Sequence, residues 1–306
     1  MTGSGPDLRA ALELKTDETA GGWVGPSSGP ADGGTEPVMR WCTRMLDGGA
    51  SLRSRVSTAD TVLFWHSGAP LHVVSDGELL AVLGGAQDVH HLRQYTVALG
   101  VTHAIHSGGG DLALWSEASV PGKADWNYAA EPEPPAGLST PAEDEGSGPS
   151  TIELFDLTEH IEGGYYRQLW ESRGTLETGR GERTLANTIL YLLDRRSPIG
   201  RLHLNASDIT HFSHGAAAVD YLLVAPDGSV HERRLGMDVT NGEVPALTVP
   251  GGWWKASSLP EGRDEALISE IAAPGFVFED QRLARVEDVP ELFPEHVERM
   301  VPYAFG

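Results

Sequence analysis

The sequence predicts an all-β protein built from two tandem copies of one barrel or sandwich domain, and three observations carry that prediction. Short apolar runs are broken by Asp-Gly and Pro-Gly turns, a polar stretch divides the chain near its middle, and matched segments recur on either side of it. The runs "NTILYLLD" (187–194), "AAVDYLLVAPDGSV" (217–230), "TVPGGWWKASSL" (248–259) and "FVFED" (276–280) have the length and punctuation of strands. Helical periodicity is confined to "DLRAALEL" near the start and "PELFPEHVERMV" near the end, where Leu292, Val297 and Met300 or Val301 share a face.

The dividing stretch, 131–150, reads "EPEPPAGLSTPAEDEGSGPS", in which Leu138 is the one large apolar residue, so it is expected to be an exposed linker between domains at 1–130 and 151–306. Across it, "ELKTDETAGGWV" (13–24) matches "DLTEHIEGGYYR" (156–167), and "MLDGG" (45–49) matches "LLDRR" (192–196). "STADTVLFWHSG" (57–68) matches "NASDITHFSHG" (205–215), "VSDGEL" (74–79) matches "APDGSV" (225–230), and "VLGG" (82–85) matches "RLGM" (234–237). "TVALGVTHAI" (96–105) matches "TVPGGWWKAS" (248–257), and "VPGKADW" (120–126) matches "APGFVFED" (273–280). Seven weak matches in one order indicate duplication of a domain.

Composition narrows the function classes. With 22 Lys and Arg against 44 Asp and Glu, the net charge of −22 repels nucleic acid and anionic membrane. No apolar run reaches the ~18 residues of a membrane span, and no basic start followed by an apolar run marks a secretory signal, so a cytoplasmic protein is expected. Cys42 is the only cysteine, which excludes an internal disulfide and a multi-cysteine zinc site. Phosphate-loop, nucleophile-elbow and dinucleotide fingerprints are absent; "GGG" at 108–110 carries no such signal.

Three segments of the second half resemble the cupins, and more narrowly a cupin subfamily catalogued as a domain of unknown function. They are "HIEGGYYR" (160–167), "RLHLNASDITHFSHG" (201–215) and "VPGGWWKA" (249–256), joined by "APGFVFED" and "LFPEHVERM". The resemblance covers nearly all of 152–300, with the first half as a degenerate copy, so the whole resembles a bicupin. It implies two double-stranded β-helix (jelly-roll) barrels, each around a pocket. Many cupins hold a divalent metal through a His-x-His pair, a carboxylate and a later His. Here those places fall on Arg201, His203, Asp208 and Lys255, and two of the four are cations that repel a dication. In the first half they fall on Arg55, Asp60 or Thr61, and His103.

The expected catalytic set is therefore His203, Asp208, His211 and Lys255, with Arg201, Glu162, Tyr165, Arg167 and Trp254 toward the substrate and no metal ligand. Bland roles stand beside each: Asp208 as a turn residue, Arg201 in a structural ion pair, and one of Trp253 and Trp254 in the core. Unbroken alternation puts Asp208 and His211 on opposite faces of their strand, and His214, beside the turn glycine Gly215, is expected at the surface. Three functions stay open. The favoured one is a metal-independent acid/base enzyme of small-molecule metabolism, an isomerase, epimerase, dehydratase or cyclase; metal-free cupins include sugar epimerases. The Gly-, Ala- and Arg-rich vocabulary adds an association with bacterial specialised metabolism. The alternatives are a divalent-transition-metal oxygenase or isomerase using His203, Asp208 and His211, and a non-catalytic binding bicupin. A small-molecule substrate is expected in the first two, and a homodimer is left open.

Overall fold

A computed structural model describes residues 5–27, 38–84, 91–108, 112–120, 150–215 and 217–306. The expected linker lies outside these residues except for Ser150, as do the last correspondence from 121 onward and Gly109 and Gly110 of the "GGG" run.

Both halves are built on one plan. In the first, a six-stranded sheet runs in the order Lys15–Thr16, Trp23–Val24, Arg40–Leu46, Ala113–Val120, Asp60–Gly68, Gln94–Val97. The second half repeats that order with Thr158–Glu159, Tyr165–Glu171, Asn187–Asp194, Glu265–Ala273, Asp208–Ser213 and Ala246–Val249. A facing sheet closes each barrel. It comprises Arg55–Val56, Thr102–Ser107, Leu71–Ser75 and Glu78–Leu83 in one half, and Val230–Leu235, Val219–Val224, Trp254–Ser258, Ile199–Asn205 and Gln281–Leu283 in the other. Every pairing between these strands is antiparallel, as expected of hairpin-connected strands.

Alternation along the strands divides inside from outside. In Asp208–Ser213, Ile209, His211 and Ser213 alternate with Thr210 and Phe212. The Phe212 ring stacks on Phe64 of the first barrel at 4.0 Å, and Trp41 of that barrel donates to Thr248 at 3.3 Å. The two six-stranded sheets thus meet through a shared core of Met39, Val62, Phe64, Phe212 and Ile271.

Two histidines tie the barrels together reciprocally. His66 Nδ1 lies 2.7 Å from the Ser213 carbonyl oxygen and its Nε2 lies 2.8 Å from Ser116 Oγ. His214 Nδ1 lies 2.5 Å from the Trp65 carbonyl oxygen and its Nε2 lies 2.7 Å from Ser269 Oγ. Each ring donates across the junction and accepts from a serine of its own barrel. His214 is therefore buried, not exposed: the turn at Gly215 is covered by the other barrel.

The expected C-terminal helix is broken into Val289–Leu292 and Val297–Met300, with a 3-10 turn at Val301–Tyr303. Pro294 lacks the amide hydrogen that would continue the helix. Leu292, Val297 and Met300 still face one cluster, against Leu202, Trp254 and Phe293 on the outer side of the second barrel. No helix among the described residues is long and apolar enough to cross a membrane.

Candidate functional site

A cavity of about 380 Å3 opens into the second barrel. Its polar end is lined by His160, Glu162, Asn205, Lys255 and Glu270, with Tyr166 and Tyr191 alongside; Ile189, Ile209, Ala272, Phe276, Val277 and Phe278 line the rest, together with Gln168, Asn187 and Glu279.

Strand register brings the polar residues together. His203 faces Lys255 across one sheet, and His211 faces Glu270 across the other. Lys255 Nζ lies 2.8 Å from His211 Nε2 and 3.5 Å from Glu270 Oε2, while His211 Nε2 is 3.6 Å from Glu270 Oε1. His211 Nδ1 sits 3.1 Å from the Leu247 carbonyl oxygen, so that nitrogen carries the proton and Nε2 presents its lone pair to the ammonium. Burial, followed by the Lys255 charge, holds the His211 imidazole well below its ordinary pKa, and it is neutral at pH 7.

A second cluster centres on Glu162. Its Oε1 is 3.3 Å from His203 Nε2 and accepts from the Gln281 amide; its Oε2 is 3.7 Å from His160 Nδ1. His203 Nδ1 donates to the Arg201 carbonyl at 2.6 Å, which leaves Nε2 a lone pair aimed at a carboxyl oxygen. Two acceptors hold that contact only with a proton between them. Burial pushes Glu162 up to about 8; Lys255 opposes the shift and Glu270 adds to it. Burial pulls His160 down to about 4 and holds His203 well below its ordinary value, with the Lys255 charge adding to the second. The proton therefore resides on Glu162 near neutral pH.

The turn that delivers Glu162 requires glycine. Gly163 has φ +96°, and a Cβ there would collide with the Ile199 carbonyl oxygen. This close approach lets the Arg201 amide donate to the Glu162 carbonyl at 2.7 Å.

Five expected site residues point elsewhere. A register shift between Gly200 and His203 breaks the alternation that would have put Arg201 beside His203. Arg201 faces outward, donating to the Ala304 carbonyl at 2.8 Å with Phe305 under its guanidinium. Asp208 accepts from the Gly251 amide at 2.7 Å and fastens a turn, on the face opposite His211. Tyr165 packs with Leu157, Leu190, Leu192 and Leu267 beneath Arg196, and Arg167 is exposed, donating to the Phe155 carbonyl at 3.2 Å. The pair does share a face, but it is the outer one; Tyr166 and Gln168, on the alternate positions, line the cavity. Trp254 stands edge-on to Phe293, 5.5 Å between centroids, and belongs to the outer core, because its neighbour Lys255 takes the inward position. His203, His211, Lys255 and Glu162 do converge.

Sequence reasoning passed over His160, Glu270, Tyr166, Tyr191, Asn205 and Gln281 as site residues. Glu270 carried a signal: it is a lone acid inside the apolar strand "EALISEIAA" (265–273), where burial of an unpaired charge would be prohibitive.

The metal that the fold family suggests does not fit this donor set. Among the described residues no three His, Cys, Asp or Glu side chains are placed to hold a cation together. The Lys255 ammonium also occupies the His211 lone pair.

In comparison with known proteins, residues 149–284 match the family model described as the cupin superfamily (DUF985). An uncharacterized protein of Saccharomyces cerevisiae is 37% identical over 171 residues, covering 51% of this chain and 80% of that protein. Among solved structures, the oxalate decarboxylase of Lactobacillus farciminis in its formate complex superposes with TM-score 0.50 over 94% of this chain and 93% of that one, at 12% identity. A Bacillus subtilis oxalate decarboxylase mutant does so with TM-score 0.50 over 92% and 81%, at 13% identity. At such identities these two speak for the fold alone, two barrels in one chain. With the geometry, the yeast relative and the family match in agreement, the chain belongs to the cupin superfamily and is a bicupin.

Proposed function

We propose that the second barrel is a metal-independent acid/base enzyme that moves a proton on a small molecule, in the manner of an isomerase, epimerase, dehydratase or cyclase. One observation carries the reading: of the three carboxyl groups lining one cavity, Glu162 and Glu270 lie at its polar end in opposed settings. Glu162 is kept protonated by burial, with a carboxyl pKa near 8, while Glu270 faces the Lys255 ammonium at 3.5 Å. Carboxyl groups set apart in this way divide the roles of acid and base. Glu162 donates its proton to the substrate, and after product release it regains one from solvent while Glu270 gives up to solvent the proton it has taken. Glu270 receives a proton from the substrate carbon, and Lys255 holds the substrate oxygen where negative charge develops. The Gly- and Ala-rich composition supports a substrate from bacterial specialised metabolism.

The test is catalysed exchange of carbon-bound hydrogen in D2O, followed by proton NMR on a panel of ketones and hydroxyketones. Glu162→Gln and Lys255→Met are expected to slow exchange by ~10²- to 10⁴-fold, whereas Asp208→Asn stays near wild type. Exchange should fall as pH rises through about 8, where Glu162 loses its proton. Exchange that is unchanged in both variants, or lost on chelation and restored by a divalent metal, sinks the proposal.

A further inference from the structure

The cavity has a graded interior that says what kind of molecule it takes. Lys255 is the one cation among its lining residues, and it already stands beside Glu270. His160, His203 and His211 are held neutral by burial, and the Glu162–His203 contact contains a proton. The inner end therefore sums to about zero charge, so a phosphate or carboxylate would meet carboxyl oxygens with no spare cation. At this inner end an ammonium would likewise find no unpaired anion; the remaining lining carboxylate, Glu279, follows Phe278 in the chain. Two buried polar atoms there have no hydrogen-bond partner, His203 Nε2 and Asn205 Oδ1, and of the two residues Asn205, 7% exposed, lines the cavity. A buried acceptor in that state is satisfied by a donor arriving with the ligand.

The outer end is mainly apolar, with Glu279 beside Phe278 as its one charged residue, and it is rigidly held. Asn187 clamps the Phe276 backbone with two hydrogen bonds of 3.0 Å, and Asp280 is gripped by both ends of the Arg183 fork at 2.9 Å. Between these anchors Phe276 and Phe278 pack edge to face, and Phe278 stays 58% exposed at the cavity mouth. A large ring held in water beside an apolar channel is covered when a ligand's apolar end lies against it.

We infer that the site binds an uncharged hydroxy-carbonyl compound with an aromatic or apolar end: carbonyl oxygen to Lys255, hydroxyl to Asn205, and the apolar end along Phe276 and Phe278. The cavity rests on the reading above, but the preference is one of binding and can be measured without turnover. Isothermal titration would compare three probes that share a phenyl ring, namely 2-hydroxyacetophenone (uncharged), mandelate (anionic) and 2-phenylethylamine (cationic). 2-Hydroxyacetophenone is expected to bind at least about tenfold tighter than either charged probe. Phe278→Ala and Asn205→Leu should each weaken it by about tenfold, the first without loss of fold because the ring is exposed. Equal or tighter binding of a charged probe, no binding of any probe up to ~10 mM, or indifference to Phe278→Ala overturns the inference. Repeating the titration on Glu162→Gln separates the claims. Retained selectivity there, with proton exchange unaffected by the substitution, leaves the ligand class standing and removes the proton-transfer reading.

Discussion

In the first barrel Glu117 is gripped by Arg44 at 2.6 Å, by Arg55 at 2.6 Å and by the Trp115 indole at 3.2 Å; in the second its counterpart Glu270 meets Lys255 and His211 at 3.5 and 3.6 Å. The register makes the two acids equivalent. Leu63 faces Glu117 as His211 faces Glu270, and Arg55 faces His103 as His203 faces Lys255. Burial alone would raise the Glu117 pKa, but the two arginines outweigh it and hold the carboxyl below its usual range. Arg44 also reaches Asp17 at 2.8 Å, and it faces Trp115 as Tyr191 faces Ile268, so an arginine stands where the other barrel has a tyrosine. A saturated carboxylate is a strut; a loosely held one beside a protonated partner is available to a ligand. The same scaffold gives either outcome according to whether arginine or smaller polar groups surround the acid.

The widest separation between the barrels should come from supplying the ligand that Lys255 displaces. Lys255→His adds an imidazole beside His211 and Glu270 and is expected to create zinc affinity near ~1 µM, about 8 kcal/mol, in a titration where the unaltered protein is expected to show none. Affinity as high in the unaltered protein would show that the ammonium does not block the position.

Next in size, Glu117→Ala leaves half-buried Arg55 without its carboxylate and Arg44 with Asp17 alone, and should cost about 3 kcal/mol in urea denaturation. Glu270→Ala should cost much less, since one ammonium beside a cavity can take up water. Equal losses would erase the distinction between strut and site.

The smallest effect concerns what the barrels share. His66→Leu and His214→Leu each orphan a carbonyl across the junction and a serine hydroxyl, and each should cost about 1–3 kcal/mol, by similar amounts because the contacts are reciprocal. Both rings are depressed by burial, His66 to about 4 and His214 well below its ordinary value. Folded-state values lower than unfolded ones mean that their contribution is present above the unfolded value of 6.5 and is lost as pH falls below it toward 4. Melting temperature should decline over that window, and less steeply in either variant.

Much of this was legible before any coordinates. The repeat aligned Phe64 with Phe212 and His66 with His214, pairs that meet at the junction, and alternation correctly opposed Asp208 to His211. Alternation failed at Arg201, where an irregular register is invisible in a single sequence. It could not choose between Tyr165 and Tyr166, since adjacent residues differ only in which face is inside. Lys255 is reached through the family pattern and His160 opens the segment "HIEGGYYR" without being singled out there, but Glu270 belongs to no spacing motif; a distant strand brings it to the cavity. His214 was misread because a glycine turn signals the surface of an isolated domain, whereas this one is closed by its twin.

The reciprocal histidine contacts carry an evolutionary corollary. When identical subunits pair, every substitution at their seam is incurred twice, so drift there is doubly penalised. Joining two copies in tandem halves that burden. Each copy can then change alone against a constant mate, and one can abandon its chemistry to become ballast while the other keeps a vacancy.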